Sequence, residues 1–194
     1  MTTTIDFATP QDAGQIAEIY GPCVRDTFIS FEVEAPTAVQ MSERILNTME
    51  KYPWLVTRRG GKVLAYAYAS QHRSRAAYQW SVDAGIYVLA SDRRSGLGRS
   101  LYQALFQVLR LQGFYNAYAG IALPNPASVA LHEAVGFQAL GVYKHVGFKA
   151  GTWRDVGWWQ LALQEPREKP TAPVWFRDFR ENLNGRRLEE ILGS

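Results

Sequence analysis

The spacing of apolar positions along the chain changes several times between a helical and a strand-like period. Apolar side chains three or four positions apart predict helices after Thr9, from about Thr37, over residues 98–112 and over residues 126–135. Pro10 behind Thr9 is typical of a first helical turn that follows an N-cap. The expected inward positions of the last two helices are Leu97, Leu101, Ala104, Leu105, Val108 and Leu111, then Ala127, Ala130, Leu131, Ala134 and Val135.

Runs rich in β-branched and aromatic residues predict strands between these helices. The predicted strands cover residues 5–8, 54–57, 63–70, 80–88, 117–122, 138–146 and 155–163. Gly60 and Gly61 indicate a tight turn, because glycine adopts positive φ at little cost. The order β-α-α-β-β-β-α-β-α-β-β favours an α+β or mixed α/β fold with helices packed on a sheet.

The composition shifts after Gln164. Residues 165–173 are polar and hold three prolines, as a linker does. We therefore expect one domain over residues 1–164, followed by a proline-containing linker and C-terminal tail over residues 165–194. Whether the aromatic and charged tail docks as a short helix, and what it does, the sequence leaves open.

Charge and composition narrow the class of protein. The net charge of +3 comes without a long basic run, which argues against nucleic-acid binding but suits ligands that carry phosphate or carboxylate. The lone Cys23 lies in an apolar stripe and is expected in the core, and a single cysteine favours a reducing compartment. The first residues do not resemble a signal peptide, and no apolar run reaches the roughly 18 residues of a membrane span. We expect a cytoplasmic protein with no membrane partner.

The segment over residues 86–100 carries the most chemical information. A predicted strand runs into a loop with Gly96 and Gly98, and the loop opens the long helix. Backbone N–H groups and the helix dipole at such a junction attract anions, and Arg93, Arg94 and Arg99 add charge. A pyrophosphate fits this site, although an ordinary strand–helix turn with solvated arginines has the same pattern. Neither a Walker A sequence nor a dinucleotide fingerprint is present.

Arg93-x-x-Gly96-x-Gly98 resembles the acyl-CoA pyrophosphate motif of the GNAT acetyltransferases. Residues 125–128 (NPAS) and 131–137 (LHEAVGF) resemble the element that follows in that superfamily. The resemblance implies a central, mostly antiparallel twisted sheet flanked by helices, and acetyl-CoA as co-substrate without a metal. The implied cofactor-binding residues are Ile86, Tyr87, Val88, Arg93, Arg94, Ser95, Gly96, Leu97, Gly98, Arg99, Ser100, Asn125 and Ser128.

Four further segments narrow the resemblance. Residues 73–78 (RSRAAY), 80–83 (WSVD), 86–88 (IYV) and 153–160 (WRDVGWWQ) are similar to phosphinothricin N-acetyltransferases, and closer still to the arsinothricin N-acetyltransferases among them. The similarity covers roughly residues 4–164. It implies acetylation of the α-amine of a glutamate-like amino acid, with detoxification as the result.

Asp83 and His132 are the candidate catalytic residues. Asp83 stands among apolar residues of a predicted strand, where a carboxyl group should have a raised pKa and could act as the base. The related enzymes usually have glutamate here, so a bridging water is an alternative, as is a structural carboxylate paired with an arginine. His132 matches a histidine of the phosphinothricin group, against the alternative of an ordinary polar residue. His72 and His145 have no such context and are expected to be structural or exposed.

Arg73 and Arg75 are the candidate anchors for the acceptor. Two positions apart on an extended segment, they would face the same side and could bind a carboxylate, phosphinate or arsinate. The alternative is a pair of solvated arginines. By resemblance, Tyr78 and Tyr87 would contact substrate, and Phe31 and Val156 would reach the site of a neighbouring subunit in a homodimer.

Two other functions remain open from the sequence. Another acceptor, such as methionine sulfoximine or a different amino acid, fits the same enzyme class, whereas Arg73 and Arg75 argue against a polyamine. The second alternative is a non-catalytic acyl-CoA-binding protein, for which Asp83 would have no evident purpose.

Overall fold

One sheet organises the molecule. The computed structural model describes residues 2–183, 186 and 188–193. Within that part of the chain, seven strands pair in the order β1-β2-β3-β4-β5-β7-β6, antiparallel throughout except for the parallel pair β4–β5. Their bounds are β1 Thr3–Phe7, β2 Trp54–Arg59, β3 Lys62–Gln71, β4 Ser81–Val88, β5 Asn116–Leu123, β6 Gln138–Lys149 and β7 Thr152–Ala162.

Helices cover both faces of the sheet. They are α1 Ala13–Arg25, α2 Ala38–Met49, α3 Leu97–Gln112, α4 Pro126–Ala134, α5 Phe176–Asn182 and α6 Leu188–Leu192. One core packs α3 and the C-terminal helices against the sheet, and a second core packs α1 and α2 against the opposite face. The predicted mixed α/β fold with a mostly antiparallel sheet flanked by helices is confirmed.

Local sequence sets the helix boundaries. Thr9 caps a short 3-10 turn over Pro10–Asp12 that leads into α1, and the Thr37 side chain accepts a hydrogen bond from the Gln40 N–H at the start of α2. The Thr37 side chain satisfies a backbone donor that the first helical turn leaves free, and at the first turn the Asp12 carboxylate accepts the N–H of Thr9 at 2.7 Å. The predicted starts of both helices are therefore confirmed.

The inward face predicted for α4 is confirmed for Leu131 and Val135, which pack against the core that contains α3, but it is wrong for the three alanines. Ala127, Ala130 and Ala134 are exposed, whereas His132 is buried. Alanine is small enough to occupy either side of a helix, so a stripe of alanines indicates the buried face poorly. Leu111, predicted to lie in the inward stripe of α3, is likewise about half exposed.

The last two strands are longer than predicted and meet in a tight turn. Ala150 and Gly151, with φ of 52° and 71°, connect β6 to β7. A two-residue hairpin turn with positive φ at both positions matches the twist of the flanking strands. The sequence pattern misses it because only one of the two residues is glycine.

The C-terminal segment packs onto the domain. Phe176 and Phe179 of α5, and Leu188 and Ile191 of α6, are buried in the core that contains α3. The amide of Gln112 donates to the backbone carbonyls of Lys51 and Val174 and so joins the segment to the domain. The division into a domain over residues 1–164 and a tail over 165–194 stays a prediction, but residues of the tail fill part of the core.

Candidate active site

A cleft opens where β4 and β5 separate. The two strands pair only over residues 81–83 and 116–118. Beyond these pairs a cavity of about 440 Å³ lies between the strands, with residues 84–88 on one wall and residues 120–122 on the other. Backbone N–H and C=O groups along the separated edges are therefore available to a ligand instead of to a strand.

The N-terminus of α3 closes one end of the cleft. Gly96, with φ of 84°, reverses the chain immediately before the helix, and no side chain caps the first turn. The free N–H groups of that turn and the helix dipole favour an anion. Arg93, Arg94 and Arg99 line the same end of the cavity. This arrangement suits a pyrophosphate.

The absence of a side chain at Gly98 affects helix packing as well as access to the cleft. A Cβ atom at this position would lie 3.1 Å from the Cδ2 atom of Leu131 on α4 and 3.7 Å from the Cδ1 atom of Ile86 on β4. The absence of a side chain therefore lets α3 approach α4 closely, in addition to any approach to a ligand.

Twelve of the thirteen predicted cofactor-binding residues line the cavity. Ser100 does not, and its hydroxyl donates to the Gly96 carbonyl. Asn125 accepts from the Ser128 N–H at 3.2 Å and so caps α4 at the cavity wall. The structure brings these residues together as a lining, and their role in binding a cofactor stays a prediction.

His132 faces the protein interior. Its Nδ1 lies 2.7 Å from the Ser128 carbonyl, which can only accept, so Nδ1 carries the proton. Nε2 is then an acceptor for the Tyr102 hydroxyl, 2.9 Å away. Burial lowers the pKa of His132, so the neutral ring with both nitrogens bonded is favoured. The sequence did not single out Tyr102, which lines the cavity beside His132.

Asp83 lies at the apex of the cleft and has an unexpected partner. It belongs to the last parallel pair before the strands separate, opposite Tyr118, and precedes Ala84 of the cavity wall without itself lining the cavity. Burial raises its pKa, although a hydrogen bond from His72 opposes the shift. The Asp83 Oδ1 and His72 Nδ1 atoms are 2.6 Å apart. Asp83 thus pairs with a histidine, not with an arginine, and His72, expected to be structural or exposed, is largely buried in this contact.

The segment that carries the two candidate anchor arginines is not extended. Residues 72–75 form bends after β3, so the argument that placed Arg73 and Arg75 on one side of a strand does not apply. Arg73 lies over the Trp158 ring at 5.6 Å, next to the Asp83–His72 pair. Arg75 is exposed, and Tyr78 contacts the edge of His72 at 6.1 Å between centroids.

The remaining predicted substrate contacts fall in different places. Tyr87 lines the cavity but stacks on Tyr66 within the second core. Phe31 lies against Gly147 of its own chain, where a Cβ atom would collide with the Phe31 ring. Val156 is half-buried in β7, opposite Ala122.

Two further findings bear on the site. Among the described residues, no group of three or more His, Cys, Asp or Glu side chains is arranged to hold a metal ion. No helix in the described part of the chain is both long and apolar enough to cross a membrane.

The fold and this cleft define an acetyltransferase. Residues 5–158 match the family model described as acetyltransferase (GNAT) domain, and the chain belongs to the GNAT family of N-acetyltransferases. Among its relatives is phosphinothricin N-acetyltransferase of Streptomyces viridochromogenes, 36% identical over 168 residues that cover 86% of this chain and 92% of the relative. The predicted resemblance is confirmed at this level.

Two other relatives extend the comparison. L-methionine sulfoximine/L-methionine sulfone acetyltransferase of Salmonella typhimurium is 32% identical over 84% of this chain and 95% of its own length. The crystal structure of a phosphinothricin acetyltransferase from Sinorhizobium meliloti in complex with AcCoA matches with a TM-score of 0.82 and 33% identity, over 91% of this chain and all of that chain. The named acceptors of these relatives are amino-acid-like molecules.

Proposed function

We propose that the chain transfers the acetyl group of acetyl-CoA to the α-amine of phosphinothricin-like amino acids. The observation that carries the proposal is the cleft between β4 and β5, which has an uncapped, arginine-rich helix N-terminus at one end and Asp83 at its apex. These residues fit a pyrophosphate-bearing thioester on one side and a cationic amine on the other.

The residues of the chain supply three functions in this reaction. The first turn of α3, with Arg93, Arg94 and Arg99, holds the pyrophosphate. The backbone N–H groups of Ile86 and Val88 alternate with that of Tyr87, which faces β3, and they are available to polarise a carbonyl in the cleft. Asp83 accepts a proton from the acceptor ammonium, which frees the nitrogen lone pair for attack. Acetyl-CoA, when bound, supplies the thioester and a thiol leaving group.

Arg73 and Arg75 are the proposed anchors of the acceptor. Phosphinothricin resembles glutamate with a methylphosphinate in place of the side-chain carboxylate, so it has two anionic ends. Arg73 is held over Trp158 beside Asp83, which supports a role for it next to the reacting amine. Arg75 lies two residues further along the same exposed segment. Acetylation of a toxic analogue would remove its amine charge, and we propose detoxification in the cytoplasm as the biological role.

The test is a thiol-release assay with acetyl-CoA and a panel of acceptors. The panel includes phosphinothricin, arsinothricin, glutamate, methionine sulfoximine and spermidine. We expect the highest kcat/KM with the phosphinate or arsinate amino acids. Highest kcat/KM with methionine sulfoximine would assign the chain to the acceptor class of its Salmonella relative. No thiol release with any amine, together with tight acetyl-CoA binding, would indicate a non-catalytic binder.

We also propose a homodimer that uses the β6–β7 hairpin. β6 is an edge strand, and this hairpin exposes Val142, Tyr143, Phe148 and Trp153. Exposed apolar side chains on a sheet edge mark a surface for association. Light scattering should give twice the 21.9 kDa chain mass, and Val142→Lys should lower it toward the monomer. A monomeric wild type would contradict the proposal and leave Phe31 and Val156 without a neighbouring site.

A further inference from the structure

His72 has no assigned role, yet it is the hydrogen-bond partner of the proposed base. Its Nδ1 atom lies 2.6 Å from Oδ1 of Asp83. An ionised carboxylate only accepts hydrogen bonds, so in that state the Nδ1–H of His72 is the donor. The contact joins the segment after β3 to the apex of the cleft, where Asp83 and Tyr118 form the last parallel pair.

The imidazole ring is fixed by aromatic neighbours. It stacks on Tyr118 with 4.2 Å between centroids and 13° between planes. The edges of Tyr78 and Trp158 approach it with centroids 6.1 Å and 6.3 Å away. Only 11% of the His72 side chain is exposed, so the ring holds its hydrogen bond in one orientation.

Asp83 is held at one oxygen only. His72 occupies Oδ1, and Oδ2 has no hydrogen-bond partner within the described part of the chain. The Asp83 side chain is 31% exposed, so the carboxyl group is partly open to solvent. A carboxylate with one oxygen fixed and the other free has a defined direction from which it can take a proton.

We propose that His72 is a positioning residue for acetyl transfer, which holds Oδ1 of Asp83 by its Nδ1–H and directs Oδ2 at the acceptor amine. The inference rests on the proposed function, because it takes Asp83 as the base. In the step concerned, one N–H bond of the acceptor ammonium breaks and an O–H bond forms at Oδ2. The electron pair stays on nitrogen, and the proton later leaves Asp83 for solvent. His72 makes and breaks no covalent bond.

The groups around the Asp83–His72 pair indicate in which direction the loss of His72 shifts the pKa of Asp83. The charged and titratable groups around it are Arg73 on the adjoining segment, Tyr78 on the next turn, Tyr68 on β3 and Tyr118 on β5. A hydrogen bond donated to a carboxylate stabilises the ionised form. Losing it leaves burial less opposed, so Asp83 becomes harder to ionise and the acid limb of activity moves to higher pH.

The test compares His72→Phe with His72→Asn. Phenylalanine keeps a ring on Tyr118 but has no donor, whereas asparagine has an amide donor near the position of Nδ1. With the best acceptor of the panel, we expect His72→Phe to lower kcat/KM roughly 10- to 150-fold, as the loss of one hydrogen bond to a charged group implies. Its acid limb should shift upward, with an unchanged acetyl-CoA dissociation constant. His72→Asn should recover much of the rate and of the pH profile.

The outcomes separate this inference from the proposed function. If His72→Phe keeps the wild-type kcat/KM and pH profile while Asp83→Asn is inactive, Asp83 is the base and the role of His72 is overturned. If Asp83→Asn is as active as wild type, the proposed mechanism itself fails. A fall in rate that neither shifts the pH profile nor recovers in His72→Asn shows a packing role alone and also overturns the inference.

Nitrogen NMR of the ligand-free protein supplies a readout that needs no activity. The chain has three histidines, so variants at His72, His132 and His145 assign each ring. We expect a proton on Nδ1 of His72 in its hydrogen bond to Asp83, with the Nδ1 signal lost or altered in Asp83→Ala. A His72 ring protonated only at Nε2, and insensitive to Asp83→Ala, would overturn the proposal even if the Phe variant fails to fold.

Discussion

Asp83 combines burial with one hydrogen bond, and the two act in opposite directions on its pKa. Burial is the larger effect, so the pKa lies above the usual carboxyl range. The base must be ionised, so activity should fall as the pH drops through this raised pKa, at a higher pH than an exposed aspartate would give. The pH profile of kcat/KM for the wild-type protein measures the position of this acid limb. Asp83→Asn should lose about 10²- to 10⁴-fold in kcat and lack this limb, with acetyl-CoA affinity retained.

Gly96 is the glycine whose backbone most directly shapes the cofactor end of the cleft. At φ of 84° an alanine would cost about 1–2 kcal/mol, although its Cβ atom would meet nothing within 4 Å. We expect Gly96→Ala to raise the acetyl-CoA dissociation constant, measured by calorimetry. Gly14→Ala, in α1 and also with free space, is the matched control and should change affinity little. Equal affinity in both variants would separate the turn at Gly96 from cofactor binding.

Substitutions of Arg73 and Arg75 test whether these residues bind the acceptor. Replacing either with alanine should raise the acceptor KM roughly 10- to 150-fold, since a hydrogen bond to a charged group contributes about 1.5–3 kcal/mol. Lysine should restore only part of this, because it lacks the planar fork of arginine. Steady-state kinetics with phosphinothricin as the varied substrate decide the matter, with Arg167→Ala in the exposed 165–173 segment as the control. Wild-type KM values in both alanine variants would remove the arginines from substrate binding.

Residues whose role depends on their own backbone could be found from sequence, and residues whose role depends on a distant partner could not. Gly96 before α3 and Asn125 before α4 are local features, and both lie where the pattern places them. The contact of His72 with Asp83 depends on the β3–β4 register and on the bend after β3. The inward orientation of His132 depends on Tyr102, thirty residues earlier.

Elements show the same division, because the type and order of the elements follow from local pattern, whereas their contacts with one another do not. The β6–β7 hairpin is held by Lys149 to the end of α1 and to the segment between α1 and α2. Its ammonium donates to the carbonyls of Val24, Ser30 and Glu32 at 2.7, 2.6 and 2.7 Å. Ile29 of that segment lines the cavity. No spacing rule connects residues 117 or more positions apart, so the sequence gives no sign of this contact.

Lys149→Met should loosen this segment, because it leaves three carbonyls without their donor at a similar side-chain length. We expect a loss of about 1.5–3 kcal/mol or more in the free energy of unfolding. Amide hydrogen exchange should rise between residues 26 and 36. Lys144→Met is the control, since Lys144 is largely exposed and pairs with Asp155 at the surface. Unchanged exchange in Lys149→Met would show that the three hydrogen bonds do not hold the segment.

At the scale of the whole molecule, the C-terminal segment contributes to the core although the family match ends at residue 158. Phe176 is fully buried and packs against Phe7 with 5.1 Å between ring centroids. Phe176→Ala should therefore cost about 3–5 kcal/mol of unfolding free energy, measured by urea denaturation. The adjacent Trp175 is nearly half exposed, so Trp175→Ala should cost far less. Equal stability of the two variants would mean that the segment is not part of the folded unit.

The short parallel pairing of β4 with β5 limits how firmly the two halves of the sheet are connected. Strands β1–β4 and strands β5–β7 form two halves. Three residue pairs and the adjoining hydrogen bonds to the Trp80 carbonyl join the halves directly, and helices pack across them. A molecule that bonds to both separated edges would connect the two halves. It would bind the folded chain but not the unfolded chain. Occupancy of the cleft and thermal stability are then coupled. At a ligand concentration a hundred times the dissociation constant, the free energy of unfolding rises by about 2.7 kcal/mol. The melting temperature of the protein is therefore itself a sensor of what the cleft accepts, including molecules that are never acetylated.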